Sequence, residues 1–96
     1  MKVKATLKEV DTDLHNPGDF CFIPIAKGRL HLGFICPCGC GDTTGITVRE
    51  DGEHKEPAWG WDKNRECPTI WPSIRRLDRC KWHGHLENGI FTQVVP

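Results

Sequence analysis

The sequence lacks the features that direct a chain to an oxidising compartment or hold it in a membrane. Residues 1–10 alternate lysine with apolar side chains and contain no uninterrupted apolar run of signal-peptide length. No stretch is long and apolar enough to span a bilayer. We therefore expect a cytoplasmic protein that makes no membrane contact and keeps its cysteines reduced.

An excess of charge of one sign is also missing. Thirteen basic residues balance thirteen acidic ones, so the chain lacks the uniform positive field that non-specific nucleic-acid binding requires. A local basic group remains in Arg75, Arg76, Arg79 and Lys81. Such a short group is typical of a solvated charged face. The charge balance argues against a nucleic-acid partner.

Internal repeats, low-complexity tracts and linkers are absent too, so residues 1–96 are predicted to form a single domain. A chain of 96 residues with 38% hydrophobic residues buries too little apolar surface to exceed the entropy cost of folding by a wide margin. Small domains of this kind need an additional stabilising cross-link, such as a disulfide or a bound metal. The six cysteines are the obvious source of one.

The hydrophobic pattern predicts a mainly β fold of short antiparallel strands and hairpins. Strands are predicted over residues 3–8, 20–25, 30–35, 45–49, 82–86 and 90–95. Hairpin turns are predicted at residues 26–29 and at Asn88-Gly89, because Asn-Gly favours the tight turn that joins two strands. A short helical turn is predicted over residues 73–79, with Ser73 as its cap.

Three cysteines lie close together at Cys36, Cys38 and Cys40, interleaved with proline and glycine. Cysteines one residue apart converge poorly on separate disulfide partners, whereas three thiolates on a tight turn can face one cation. A second pair, Cys80 and His83, has the two-residue gap of a zinc knuckle. The sequence therefore predicts a structural zinc site, with an iron–sulfur cluster as the alternative.

Five candidate ligands compete for the four positions of a tetrahedral zinc site. If all four cysteines bind the metal, His83 is free for other chemistry. If His83 binds it, one cysteine of the first turn is left out, and the knuckle spacing favours this second arrangement. Cys21 and Cys67 are interpreted as small buried hydrophobic residues, which is common for free cysteine.

The chain has four tryptophans, which in so small a domain are usually core residues. The alternative is that Trp59 and Trp61, on one face of an extended segment, form an aromatic groove for an extended peptide, such as the tail of a ubiquitin-like protein.

The order of the motifs resembles one family. The cysteine turn at residues 36–41 is followed by Pro72-Ser73-Ile74, by the Cys80 and His83 pair, and by a closing Asn88-Gly89. Over residues 18–95 this order is similar to the BubE-like family of small bacterial and phage proteins from ubiquitination-like operons. The resemblance implies a metal-binding β domain and, for some members, a serine peptidase of ubiquitin-like proteins. It further implies Ser73 as nucleophile, with His83 or His85 as base.

Three functions follow as hypotheses. The first is a zinc-stabilised domain that recognises a protein partner without chemistry of its own, with a ubiquitin-like protein as the candidate partner. The second is a serine peptidase with Ser73 as nucleophile and zinc as structural support. The third is a catalytic zinc, which a sulfur-rich and closed site disfavours. If zinc held His83 and no other imidazole lay near Ser73, the peptidase would lose its base.

Overall fold

The alternating apolar residues form strands that assemble into two sheets. The computed structural model describes residues 2–76 and 80–94. The strands within these ranges are β1 (Lys2–Lys4), β2 (Thr6–Leu7), β3 (Asp19–Ala26), β4 (Arg29–Ile35), β5 (Thr43–Arg49), β6 (Gly60–Trp61), β7 (Ile70–Arg75), β8 (His83–Glu87) and β9 (Ile90–Gln93). The mainly β prediction is confirmed. In the described ranges no helix has the length and apolar character of a membrane span.

The first predicted strand is divided between the two sheets. The five-stranded sheet has the order β1-β9-β8-β7-β6, and the four-stranded sheet has the order β2-β3-β4-β5. β1 pairs with β9, whereas β2 pairs in parallel with β3. Ala5 lies between them and is only 4% exposed. The start of the chain therefore ties one sheet to the other.

The hydrophobic core joins inward-facing side chains of both sheets. Phe34 of β4 is fully buried and packs against Phe91 of β9, with ring centroids 5.1 Å apart, and against Trp82 at 6.3 Å. Leu32 and Leu86 are buried in the same cluster. Trp82 thus has the core position that is usual for tryptophan in a small domain, where its burial removes a large apolar area from water.

Both predicted hairpins are present. β3 and β4 pair antiparallel across the turn at residues 27–28. β8 and β9 pair across Asn88 and Gly89, whose φ angles are 49° and 74°. Positive φ at both central residues is what a tight two-residue hairpin turn of type I′ requires, and Asn-Gly supplies it at low cost. This second hairpin fixes the strand that begins at His83.

The predicted helical turn over residues 73–79 is wrong for residues 73–75, and residues 77–79 lie outside the described ranges. Ser73 belongs to strand β7 and caps no helix. Ile70 and Ile74 of this strand are 2% and 3% exposed, so packing on the core outweighs the local preference for a turn. The helical element of the described residues is instead a 3-10 turn at Asp11–Asp13.

The two cysteines assigned to the core behave differently. Cys21 is fully buried, as predicted. Cys67 is exposed, so its assignment to the core is wrong. Its backbone N–H donates to Asn64 Oδ1 at 3.0 Å, in a loop organised by polar side chains. A loop of this kind needs no apolar side chain beneath it.

Asp19 is a buried carboxylate whose removal should destabilise the fold. Burial opposes its ionisation, but the backbone N–H groups of Asn16 and His15, each 3.0 Å from Oδ2, hold its pKa below the ordinary value of 3.8. We expect Asp19→Asn to lower the free energy of unfolding by about 1–3 kcal/mol at pH 7, as a lost hydrogen bond to a charged group does. Urea unfolding of both proteins measures the difference.

The pH dependence of that difference has a fixed sign. A carboxylate with a lowered folded pKa stabilises the fold above its unfolded pKa and loses this effect as the pH falls through the folded value. The difference between wild type and Asp19→Asn should therefore stay constant from pH 8 to pH 5. A difference that shrinks before pH 5, or that Asp13→Asn in the exposed 3-10 turn reproduces, would contradict this role.

Candidate active site and metal centre

The loop that joins β4 to β5 turns three cysteines towards one point. The backbone N–H of Cys36 donates to Asp42 O at 2.9 Å and closes the loop at its base. Gly39 and Gly41 have φ angles of 93° and 83°, which side-chain-bearing residues rarely adopt. The tight turn predicted from the glycines is therefore the reason that alternate cysteines can face the same side.

Four sulfur atoms converge at this loop. The Sγ atoms of Cys36, Cys38, Cys40 and Cys80 all lie within 4.8 Å of one another. Cys36 Sγ is 3.2 Å from Cys38 Sγ and 3.5 Å from Cys80 Sγ. Zinc–sulfur bonds of about 2.3 Å place neighbouring sulfurs of a tetrahedron roughly 3.8 Å apart. The residues therefore fit a metal ion held by four cysteines, with Cys80 contributed by the segment between β7 and β8.

The environment of the four thiols is uneven. Burial, followed by the contact with Cys36, raises the pKa of Cys38 to about 12. Burial also raises the pKa of Cys36. In contrast, the hydrogen bond from the Asp42 backbone is the main cause that lowers the pKa of Cys40 to about 7. Because metal ligands must be thiolates, metal binding has to release protons from this group.

Arg76 is a buried cation beside the sulfurs. It is 6% exposed; its Nη1 lies 3.6 Å from Cys40 Sγ and its Nη2 lies 3.5 Å from Asp42 Oδ2. The assignment of Arg76 to a solvated face is thus wrong. Four thiolates carry more negative charge than a divalent cation neutralises, and a buried guanidinium offsets part of that excess. The burial of Arg76 could not be predicted from the sequence, because Arg76 lies in a group of basic residues and its spacing does not distinguish it from Arg75.

Ser73 and His83 face each other on neighbouring strands. Ser73 Oγ lies 2.9 Å from His83 Nε2. β7 and β8 pair so that Arg75 is opposite His83, and Ser73, two residues before Arg75, lies on the same face of the sheet. The contact is therefore a diagonal cross-strand pair. Both side chains are half-buried, so the hydroxyl is partly shielded from water.

Of the two tryptophans at positions 59 and 61, only Trp59 contacts the backbone of this pair. Trp59 Nε1 donates to the carbonyl of Ser73 at 3.2 Å, and Trp59 is half-buried. Trp61 is 4% exposed, and its Nε1 donates to Arg49 O at 2.6 Å. Trp61 therefore lies in the core, whereas Trp59 lies beside the serine.

A cleft of about 450 Å³ lies next to the end of β7, where Ile74 and Arg75 follow Ser73 in the chain. It is lined by Trp59, by residues of β5 and by the end of β7: Thr44, Gly45, Ile46, Ile74, Arg75 and Arg76. Its size lies within the range of roughly 300–1,000 Å³ that is typical of ligand sites. The lining thus includes Arg76, which contacts the cysteine loop, and Trp59, which donates to the Ser73 carbonyl.

Comparison with known families identifies the family of this chain. Residues 6–94 match the family model of BubE, the bacterial ubiquitination-like system serine protease. The chain belongs to the BubE family. No curated protein and no solved structure gives a significant match. The resemblance drawn from the cysteine turn and the Pro72-Ser73-Ile74 motif is thereby confirmed, and the BubE family connects this chain with a ubiquitination-like system.

In this BubE-family chain the candidate site residues divide into two groups. The sulfur group contains the four cysteines, and among the described residues His83 is not part of it. His83 instead contacts Ser73, so the geometry favours the arrangement in which all four cysteines bind metal. His85 lies opposite Thr92, and the hydrogen bonds of the described residues do not connect it to Ser73. His83 contacts Ser73 because of the register between β7 and β8. The two-residue gap between Cys80 and His83 does not contain this information.

Proposed function

We propose that this BubE-family chain is a serine peptidase of a ubiquitin-like pathway. Ser73 is the nucleophile and His83 is the general base in this proposal, and the four cysteines hold a structural zinc ion. The observation that carries it is the distance of 2.9 Å between Ser73 Oγ and His83 Nε2. A base within hydrogen-bond reach is what turns a serine hydroxyl into a nucleophile.

The pair supports an acyl-transfer sequence in two stages. His83 Nε2 takes the proton from Ser73 Oγ while Oγ forms a bond to the substrate carbonyl carbon. The imidazolium then gives the proton to the leaving amine as the carbon–nitrogen bond breaks, and an acyl-serine remains. In the second stage, His83 Nε2 takes a proton from water as the water oxygen bonds to the ester carbon. The imidazolium then returns this proton to Ser73 Oγ as the carbon–Oγ bond breaks and the carboxylic acid leaves. Protons and bonds balance over the cycle without a further reagent.

The sulfur group has a separate task. A site with four cysteine ligands is closed, because it keeps no open position for substrate. Zinc is the default ion for such a donor set. The ion would cross-link the β4–β5 loop, which contributes three of the sulfurs, to the segment before β8, which contributes Cys80. Since His83 follows Cys80 by three residues, this cross-link would fix the position of the base.

A fluorophosphonate probe tests the nucleophile directly. Ser73 is the only serine in the 96-residue sequence, so intact-mass analysis reports on a single serine hydroxyl. We expect one probe adduct on the wild-type protein, none on Ser73→Ala, and strongly slowed labelling of His83→Ala. Peptide mapping would locate the adduct on the segment that contains Ser73.

Two outcomes would overturn the proposal. A folded, metal-loaded wild-type protein that takes up no probe would leave a domain that recognises a protein partner without chemistry. Labelling that is unchanged by His83→Ala but abolished by His85→Ala would move the role of base to His85. His54→Ala is a matched control, because His54 pairs with Glu56 at 3.4 Å, away from Ser73.

A further inference from the structure

We call the gap between β5 of one sheet and β7 of the other the seam. Residues fill the seam along only half of its length. The segment from Trp59 to Trp61 lies between β5 and β7. Trp59 N donates to Thr47 O of β5 at 2.8 Å, and Gly60 pairs with Trp71 of β7. This segment is therefore a short strand that joins the edges of both sheets. The cleft lined by Gly45 and Arg75 lies in the other half of the seam, bounded by the same two strands.

The open half presents unpaired backbone groups from the β5 side. Thr47 O points away from β4, since it accepts from Trp59. Backbone groups of alternate residues in a strand point to the same side, so the N–H and C=O of Gly45 also point away from β4 and towards the seam. No backbone hydrogen bond within the described ranges occupies them on that side.

The β7 side offers the same arrangement. Arg76 N donates to Trp82 O of the neighbouring segment, whereas Ser73 O accepts from Trp59 across the seam. Arg75 therefore turns its backbone N–H and C=O in the same direction as Ser73, into the cleft. Among the described residues, two strand edges whose donors and acceptors have no backbone partner thus face one gap, which is the setting for strand addition by a peptide.

The cleft also carries a positive charge on one side, at Arg75. Arg76 contacts Asp42, and its guanidinium is engaged at the metal centre. Arg75 is exposed, and the described residues provide it with no ion-pair partner. Ile46, Ile74 and Trp59 supply an apolar lining. A ligand that complements this surface is extended, has a free backbone edge, and places a carboxylate near Arg75.

We infer that the open half of the seam is the substrate subsite, and that it binds an extended polypeptide segment carrying an acidic side chain. The segment adds as a short strand between β5 and β7, with backbone hydrogen bonds to Gly45 and Arg75 and its carboxylate beside the Arg75 guanidinium. This inference deepens the proposed peptidase function, because it assigns the part of the substrate that lies next to Ser73.

Binding can be tested separately from catalysis on Ser73→Ala protein loaded with metal. The probe is a fluorescein-labelled octapeptide of glycine and serine with one central aspartate, titrated into nitrogen-15-labelled protein. We expect saturable shifts of the Gly45 and Arg75 amide signals. A matched peptide with asparagine in place of aspartate should bind about two- to fivefold more weakly, which is the range of an exposed ion pair.

Variants separate strand addition from simple charge attraction. Arg75→Ala should remove the preference for aspartate, Arg75→Lys should retain it, and Arg29→Ala, an exposed arginine at the start of β4, should leave it unchanged. A peptide that is N-methylated at alternate residues should lose binding, because it cannot donate to a strand edge. Absence of saturable shifts, or shifts confined to residues outside the cleft, would overturn the inference.

Failure of the proposed peptidase function and failure of the subsite inference give different experimental results. Peptide binding at Gly45 and Arg75 combined with no fluorophosphonate labelling of wild type would reject the peptidase and keep the subsite as a peptide-binding cleft. Labelling of Ser73 without peptide shifts would keep the peptidase and reject this subsite.

Discussion

Replacing His83 with alanine is expected to lower kcat/KM by about a thousandfold, within the range of 10²–10⁴ that a positioned general base contributes. Within residues 2–76 and 80–94, His83 Nε2, at 2.9 Å, is the side-chain group hydrogen-bonded to Ser73 Oγ, so the variant loses the group that would take its proton. The assay is hydrolysis of a fluorogenic peptidyl coumarin amide that ends in two glycines. The loss should appear mainly in kcat, because the base acts in the transition state and adds little to substrate binding.

The same variant tests which residues hold the metal. His83→Ala should retain one equivalent of metal by elemental analysis, because the sulfur group is complete without an imidazole. A variant that loses activity and metal together would restore His83 as a ligand and remove it as the base. His54→Ala should keep both activity and metal content, since its side chain contacts Glu56.

Loss of the metal should have the largest effect on folding. Structural zinc sites have apparent binding free energies of about 10–16 kcal/mol, which equals or exceeds the whole stability of about 5–15 kcal/mol of an ordinary domain. We expect Cys80→Ser to lose stoichiometric metal and to lower Tm by at least about 15 °C, at the usual 4–8 °C per kcal/mol for a domain of this size. Circular dichroism and elemental analysis measure the two effects.

Cys67→Ser is the matched control for that experiment. Cys67 is exposed and lies outside the sulfur group, so the variant should keep its metal and its Tm. A strong chelator should unfold the wild type in the same way as Cys80→Ser. A chain that stays cooperatively folded and metal-free in chelator would show that the β-sheet core alone suffices.

The sequence was sufficient for features that depend on local chemistry. The Asn88-Gly89 hairpin follows from two residues that tolerate positive φ. The cysteine turn follows from glycines at Gly39 and Gly41, which allow alternate thiols to face one point. Such features involve residues that are neighbours in the chain, so their spacing already contains most of the geometry.

Features that depend on strand register could not be predicted in the same way. Ser73 was assigned to a helical turn because local propensity ignores the pairing of Ile74 with Gly84. The register of β7 against β8 shifts between Ile70 and Ile74, and this irregularity decides which histidine is diagonal to Ser73. Arg76 was misplaced for a related reason, since its burial depends on a loop more than thirty residues earlier.

In the proposed peptidase, the position of Arg76 would couple metal binding to the assembly of the Ser73 and His83 pair. Its guanidinium contacts the cysteine loop, and its backbone continues directly from the strand of Ser73. Capture of a metal ion after synthesis would therefore also complete the hydrolytic pair. If the proposed peptidase function is correct, a newly made chain would stay inactive until it binds metal.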